Sequence, residues 1–433
     1  MRFVYTKIAA SVCGGMLLAL SVPANAAVDA KLLEMLKTNG SISPAQYAEL
    51  QNDLASDTQE KQKADAQQAK LVDQSTKLDA FSQAVAWAAK THFEGDVRLR
   101  QETVKADGQT NSQDKNRQRV RVRLGAYTEI NPEVSTGIRI ATGSDNSANT
   151  TNQDLNNYFT KKDIWLDLGY IDYHPTAVKN LHLIGGKIKQ PWVSEGDIIW
   201  DSDINPEGLA ATYQYDVNDK FQLFANGGFF TLKDNVDGNG TQFSNDLRMY
   251  TGQIGTRFKP LDNLKVTLGG SLYSFDGDHS SPLPGTAGAI AGNALAINGN
   301  TINKYRLYEG FGQADISGLM VPLSFYGQLV SNSEASSGQD TAWLFGAKST
   351  VFGFNVDYNY RDVQRNAVVG AFTDSDFANG FTASRGHKLN INHDIGKNFN
   401  LGATYFMANS DAAVSGVKDA DVNTLQLDAV AKF

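Results

Sequence analysis

Arg117-Gln118-Arg119-Val120-Arg121-Val122-Arg123-Leu124 sets four arginines on alternate positions, with Gln118, Val120, Val122 and Leu124 between them. In an extended strand successive side chains point to opposite faces, so all four guanidiniums project the same way. Facing lipid, each would cost ~2–4 kcal/mol near a bilayer midplane. Facing water they cost little, so the octapeptide reads as a strand that is wet on one side and apolar on the other. Such a strand survives in a membrane only within a closed sheet, because hydrocarbon cannot satisfy an open edge.

The same alternation flanks this stretch and recurs to the end of the chain. Arg98 and Arg100 alternate with Val97 and Leu99, and Arg139 sits between Ile138 and Ile140. In the last thirteen residues Leu425, Leu427, Ala429, Ala431 and a terminal aromatic, Phe433, share one face; Thr424, Gln426, Asp428 and Lys432 share the other. Phe433 is therefore expected to serve as a C-terminal assembly signal. About sixteen alternating segments can be counted, beginning near Phe93, Arg117, Val134, Ile164, Leu181, Leu209, Phe221, Met249, Leu264, Tyr305, Leu323, Trp343, Phe352, His387, Phe399 and Asn423.

The connections between them alternate in length. Short ones such as Asn131-Pro132-Glu133, 216–220, 259–263 and 394–398 are interleaved with long polar stretches at 143–162, 276–303 and 361–385. Short periplasmic turns and long external loops are the outer-membrane barrel pattern, which a soluble sandwich has no reason to keep. The expected fold is an all-β transmembrane barrel of about sixteen antiparallel strands over residues 91–433.

The bulk composition agrees. Beyond the first 26 residues no apolar run approaches the ~20 residues of a spanning helix, whereas 16 Tyr and 22 Phe recur in short segments. Those first 26 residues, with Arg2, Lys7, an apolar run and Ala24-Asn25-Ala26, read as a secretory signal peptide. It contains the sole cysteine, Cys13, so the mature chain needs neither a disulfide nor a thiolate metal site. Removing the signal leaves 37 basic against 47 acidic residues, a net charge of -10, which argues against a nucleic-acid partner.

Residues 27–90 follow a different rule. They are rich in Ala, Gln, Lys and Asp, nearly free of Gly, and helical in their spacing. Leu32, Leu33 and Leu36 form a stripe, Asn39-Gly40 ends that helix, and Ser43-Pro44-Ala45-Gln46 supplies an N-cap, a first-turn proline and a capping-box glutamine. Tyr47 and Leu50 can then pack back on the stripe. Leu71, Leu78, Phe81 and Val85 recur at heptad-like intervals, which suits a weak coiled coil or a solvated single helix.

Candidate functional residues lie on the wet face. Arg98, Arg100, Arg117, Arg119, Arg121, Arg123 and Arg139 would build one basic wall on three adjacent strands, with Lys187 and Lys189 as further pore-lining cations. Guanidiniums stay charged and suit carboxylate and phosphate, so a positive surplus would favour anions. The competing reading is that Glu94, Asp96, Glu102 and Glu129 neutralise the wall and it only braces the barrel. The third long loop, 190–208, reads Q-P-W-V-S-E-G-D-I-I-W-D-S-D-I-N-P-E-G. Its Trp192, Ile198, Ile199 and Trp200 suit a segment folded back into the lumen. Its Glu195, Asp197, Asp201, Asp203 and Glu207 could oppose the arginines across a constriction. The alternative is an external loop whose apolar residues serve subunit packing. The six histidines show no zinc spacing and no nucleophile–base set is apparent, so neither an enzyme nor a cofactor is expected.

The helical lead L-L-E-M-L-K-T-N-G-S-I-S-P-A-Q-Y, the R-Q-R-V-R-V-R-L-G strand, G-G-K-I-K-Q-P-W and I-W-D-S-D-I-N-P-E-G-L-A together resemble the bacterial putative porin family. More distantly the chain is similar to the phosphate-selective porins, without a dense lysine cluster of the kind expected there. The resemblance implies a sixteen-stranded, usually trimeric barrel that passes small hydrophilic solutes. The expectation is thus a passive outer-membrane channel with a mild anion preference, reached through the periplasm, its N-terminal segment periplasmic. Its partners would be outer-membrane lipid and lipopolysaccharide, the outer-membrane assembly machinery, two further copies in a homotrimer and peptidoglycan. Two rivals stand beside it: a structural anchor binding the cell wall through 27–90, and a saccharide channel using Trp192 and Trp200 as stacking surfaces.

Overall fold

The computed structural model describes residues 30–107, 114–144, 148–234, 246–276, 305–335, 338–414 and 416–433. The expected signal peptide, 1–26, and most of the 276–303 loop lie outside them. The chain divides into two compact units, residues 1–86 and 87–433.

The first unit is helical. Helix α1 (Ala30–Thr38) buries Leu33 and ends at Gly40, whose φ of +69° lets Ser41 N–H reach the Leu36 carbonyl. Helix α2 (Pro44–Ala89) opens on the expected capping box: Gln46 N–H donates to Ser43 Oγ (3.3 Å), while Ser43 N–H donates to Gln46 Oε1 (3.0 Å). Lys37 lies 4.2 Å from the Tyr47 ring centre, joining the two helices. Farther along, Leu71, Leu78, Phe81 and Val85 are exposed.

The second unit is a closed antiparallel barrel. Its strands are β1 (Thr91–Ala106), β2 (Lys115–Asn131), β3 (Val134–Thr142), β4 (Gln153–Asp154), β5 (Ile164–Tyr173), β6 (Leu181–Lys187), β7 (Glu207–Asn218), β8 (Phe221–Lys233) and β9 (Leu247–Leu261). They continue with β10 (Leu264–Asp276), β11 (Arg306–Ile316), β12 (Leu323–Asn332), β13 (Thr341–Val351), β14 (Phe354–Val363), β15 (Ser384–Asp394), β16 (Phe399–Ser410) and β17 (Ala420–Lys432). Strand β4 is a two-residue ladder that a long loop lays against Arg119 and Val120 of β2. The other sixteen form the wall, and each begins within three residues of its sequence-based start. Each pairs with its chain neighbour, and β1 pairs with β17 over Asp96–Ala106 to close the cylinder.

Turn chemistry sets one rim. Asn131 Oδ1 accepts the Glu133 N–H and Asn218 Oδ1 accepts the Lys220 N–H, each at 2.9 Å, so one asparagine side chain completes each tight turn. Phe352 and Gly353 have φ of +51° and +82°, the left-handed pair a two-residue hairpin requires between β13 and β14. Outward positions carry the apolar residues: Leu99, Leu124, Ile138, Leu209, Ile254, Leu329, Phe345, Leu425 and Leu427 are all exposed. A soluble protein rarely shows so much contiguous apolar surface.

Candidate functional site: the barrel lumen

The lumenal face of β1 and β2 is assembled by register. Asp96 lies opposite Arg123, Arg98 opposite Arg121, Arg100 opposite Arg119 and Glu102 opposite Arg117. On the other side of β1, Arg100 faces Asp428 and Glu102 faces Gln426 of β17. Strand pairing alone therefore interleaves acids with the arginines.

Six of the seven arginines have a carboxylate within 4 Å. Arg100 grips Asp428 with two hydrogen bonds (2.8 and 2.9 Å) and reaches Asp376 at 3.0 Å. Arg117 donates to Glu102 (2.7 Å) and Asp154 (3.0 Å), and Arg119 meets the same two acids at 3.4 and 2.9 Å. Arg121 and Arg123 share Asp96 at 2.8 and 2.7 Å, and Arg139 donates to Asp167 at 2.5 Å. Arg98 instead donates to the Asn152 side-chain carbonyl at 2.7 Å. The expected positive surplus on this wall is not found: Asp96, Glu102, Asp154, Asp167, Asp203, Asp376 and Asp428 all lie against it. The wall is a charge-balanced lattice that braces the barrel. Of the four acids singled out by sequence, Asp96 and Glu102 take part, Glu94 sits beside His92 at 3.7 Å, and Glu129 has no ion pair among the described residues.

Lys187 is taken up by Glu207, its cross-strand neighbour, at 2.6 Å, and Lys189 lies 5.3 Å from the Tyr127 ring centre. These two lysines bracket the point where the chain leaves the wall.

The third long loop, residues 188–206, folds inward. Ile188, Trp192, Ile198, Ile199, Trp200 and Ile204 are buried in one apolar cluster with wall residues Phe230, Met249, Tyr273, Val330 and Leu344. The Trp192 and Trp200 rings lie 4.9 Å apart, and Tyr273 packs edge-on to both. Both indoles are largely buried, and Trp200 borders a lumenal cavity. Gln253 of β9 fixes the loop from the wall, accepting the Val193 N–H and donating to the Val193 carbonyl, each at 2.8 Å.

The seventh long loop, residues 364–383, folds inward as well, which the sequence reading missed. Ala367, Val368, Val369, Phe372, Phe377 and Ala378 are buried, with Phe372 stacked 5.5 Å from Trp200. Their apolar character inside an otherwise polar stretch was the available signal. The two loops are tied together: Asp201 N–H donates to the Phe372 carbonyl, Thr373 Oγ1 donates to the Ile198 carbonyl, and Ser375 N–H donates to Asp201 Oδ2.

The loop acids consequently divide their roles. Asp197 joins Arg361, which is 1 % exposed, at 2.7 Å and Lys388 at 2.7 Å; Asp374 adds a second contact to Arg361 at 3.1 Å. Asp201 caps backbone of the partner loop. Asp203 accepts Thr151 N–H and hydroxyl (3.0 and 2.9 Å) and approaches Arg123 at 4.0 Å. Glu195 faces the opposite wall, toward Lys348, Arg257 and Lys265. Only Asp203 of the expected constriction set reaches the arginines. Arg361 and Lys388 were not singled out by sequence, because neither alternates with a second cation on the same face of its strand.

The family model described as putative porin matches residues 103–283 and 308–433. The chain belongs to the putative porin family. The family and its fold are non-enzymatic channels, so this porin is an outer-membrane channel rather than an enzyme. Among curated proteins it is similar to a short one from Pseudomonas fluorescens, phosphate starvation-inducible protein 1. The two are 69% identical over 36 residues, which is 8% of this chain and 92% of that protein. Among solved structures it is similar to Pseudomonas putida OprB at high pH. The TM-score is 0.53 at 11% identity, covering 82% of this chain and 97% of the other, and this likeness shows the fold. Salmonella typhi OmpF in complex with daunomycin gives a TM-score of 0.46 at 13% identity, covering 79% of this chain and 97% of that one.

Proposed function

We propose that this porin passes small hydrophilic solutes by passive diffusion, through a lumen narrowed by its third and seventh loops, with a mild anion preference. The observation that carries this reading is the charge distribution inside the barrel. The arginine wall is satisfied by fixed carboxylates, while Arg98, Lys189, Arg257, Lys265 and Lys348 have no carboxylate within 4 Å among the described residues. Cations that keep their field unneutralised are the ones that draw anions into a wet passage. The short-turn rim and the helical unit face the periplasm in this reading. The homotrimer draws support from Gln101, whose side chain donates to Asn116 (2.7 Å) on the outer surface of β1 and β2, where lipid offers no partner. The exposed Leu71, Leu78 and Phe81 seam suits a coiled coil among three such helices.

Planar-bilayer recording tests the proposal. Stable conductance steps are expected, with a reversal potential in a salt gradient on the anion side. Replacing Arg257 and Lys265 with Gln moves that potential toward cations; an unchanged potential removes the anion preference. Well-folded protein that gives no steps removes the channel.

A further inference from the structure

Lys348 of β13 and Asp357 of β14 are direct cross-strand partners in the lumen, the arrangement in which opposite charges ordinarily pair. They do not pair. Among the described residues neither has an opposite charge within 4 Å, and a tyrosine separates them. The Lys348 ammonium sits 4.1 Å from the Tyr326 ring centre, while Tyr326 Oη donates to Asp357 Oδ1 at 2.6 Å. Asn359 donates to the same phenol oxygen at 3.1 Å. Tyr326 can lie flat across β13 because Gly346 is beneath it; a Cβ there would collide with the ring. The cation and the anion are thus engaged by different parts of one ring, the face and the phenol oxygen.

Both line one pocket of about 340 Å³ at the short-turn end of the lumen, together with Thr350, Asn355, Asn390 and Asn392. Its amides are already oriented. Asn355 donates to Asn392 (3.2 Å), Asn392 to Asn390 (2.9 Å) and Asn390 to Thr404 (2.7 Å). The nearby Asp315 carboxylate is engaged by Gln313 and Ser324. Glu195 projects toward Lys348 from the third loop without reaching it.

We propose that this pocket is a subsite for zwitterionic solutes of the free amino-acid class, the solute carboxylate meeting Lys348 and its ammonium meeting Asp357. A single-charge solute satisfies one of these groups, and a zwitterion satisfies both at once. Fixed partners avoid the ordering cost that two flexible side chains would impose. The lumen stays wet, so binding is weak enough for release, as conduction requires. The inference deepens the channel reading and rests on it for the solute to matter in transport.

The test uses alanine as the zwitterion, propionate and alaninamide as its single-charge analogues and lactamide as the neutral one, on the purified full-length protein. Calorimetric titration in detergent micelles reports the pocket directly, and current block in planar bilayers reports it during conduction. Alanine is expected to bind and block at least about tenfold more strongly than any analogue, the worth of one further charged hydrogen bond. K348Q and D357N are each expected to erase that advantage, and the reversed pair K348D/D357K to restore it in a barrel of unchanged conductance. Alanine no stronger than lactamide on the native protein, or an advantage that survives both K348Q and D357N, overturns the proposal. A barrel that binds alanine in micelles yet never conducts overturns the channel reading and leaves the pocket standing.

Discussion

Glu102 is 1% exposed and accepts hydrogen bonds from Arg117 and from Gln426, with Arg119 3.4 Å away. One buried carboxylate therefore balances guanidiniums and ties β2 to β17 across β1. Removing one partner of a buried ion network strands the others, at a cost of about 3–5 kcal/mol. E102Q is expected to lower the unfolding free energy of the barrel, read from denaturant titration, by that amount. E94Q, at an acid outside the lattice, is expected to leave it unchanged. The arginines were legible in the sequence because alternation betrays a shared face. Of their partners only the near ones, Asp96 and Glu102, were legible: Asp154, Asp376 and Asp428 lie up to 328 residues away, and strand register or, for Asp376, the inward seventh loop brings them in.

The same contrast holds among the elements. All sixteen wall strands could be read from a period of two, and the inward course of the third loop from its tryptophans, because burial and periodicity leave marks on composition. The seventh loop was missed although Ala367-Val368-Val369, Phe372 and Phe377-Ala378 mark it, because the Gly, Ser and Asp between them break any period. Its docking depends on contacts with a loop some 170 residues earlier. Gln253 offers a direct handle on that docking. Q253L removes both bonds to Val193, and at ~0.5–1.5 kcal/mol each the third loop is expected to loosen without unfolding the wall. Added open-channel current noise, with an unchanged thermal midpoint, is the measurement. At the opposite rim, Glu133 Oε1 accepts the Thr176 N–H and hydroxyl at 2.8 and 2.7 Å, joining two turns. Those bonds hold its carboxyl below the ordinary value of 4.5. A depressed acid contributes stability above its unfolded value and loses it as pH falls through the folded one. Thr176 amide exchange is thus expected to be slow at neutral pH and to lose protection below the normal glutamate range. In E133Q that pH dependence should vanish.

At the scale of the whole molecule the two units differ in what holds them. Among its described residues the helical unit buries little beyond Leu33, whereas the barrel carries the lattice, the two inward loops and the closed ladder. A chain lacking residues 27–89 is expected to keep its β-sheet circular-dichroism signal and heat-resistant migration and to lose only the helical signal. Collapse of that truncated barrel would show that the helices contribute to its folding. Every pairing in the wall but one joins strands that neighbour each other along the chain. The exception is the seam of β1 with β17, fastened by Arg100 on Asp428 and by paired backbone bonds between Gly95 and Phe433. The entropy of joining ends grows only slowly with separation, yet this joint links Asp96 to Lys432 and cannot close until the strands between them are laid. Until then two bare borders invite pairing with other chains. The cylinder is in that sense completed by its most widely separated pair of strands, and the hazard of assembly is concentrated in the interval before the clasp is shut.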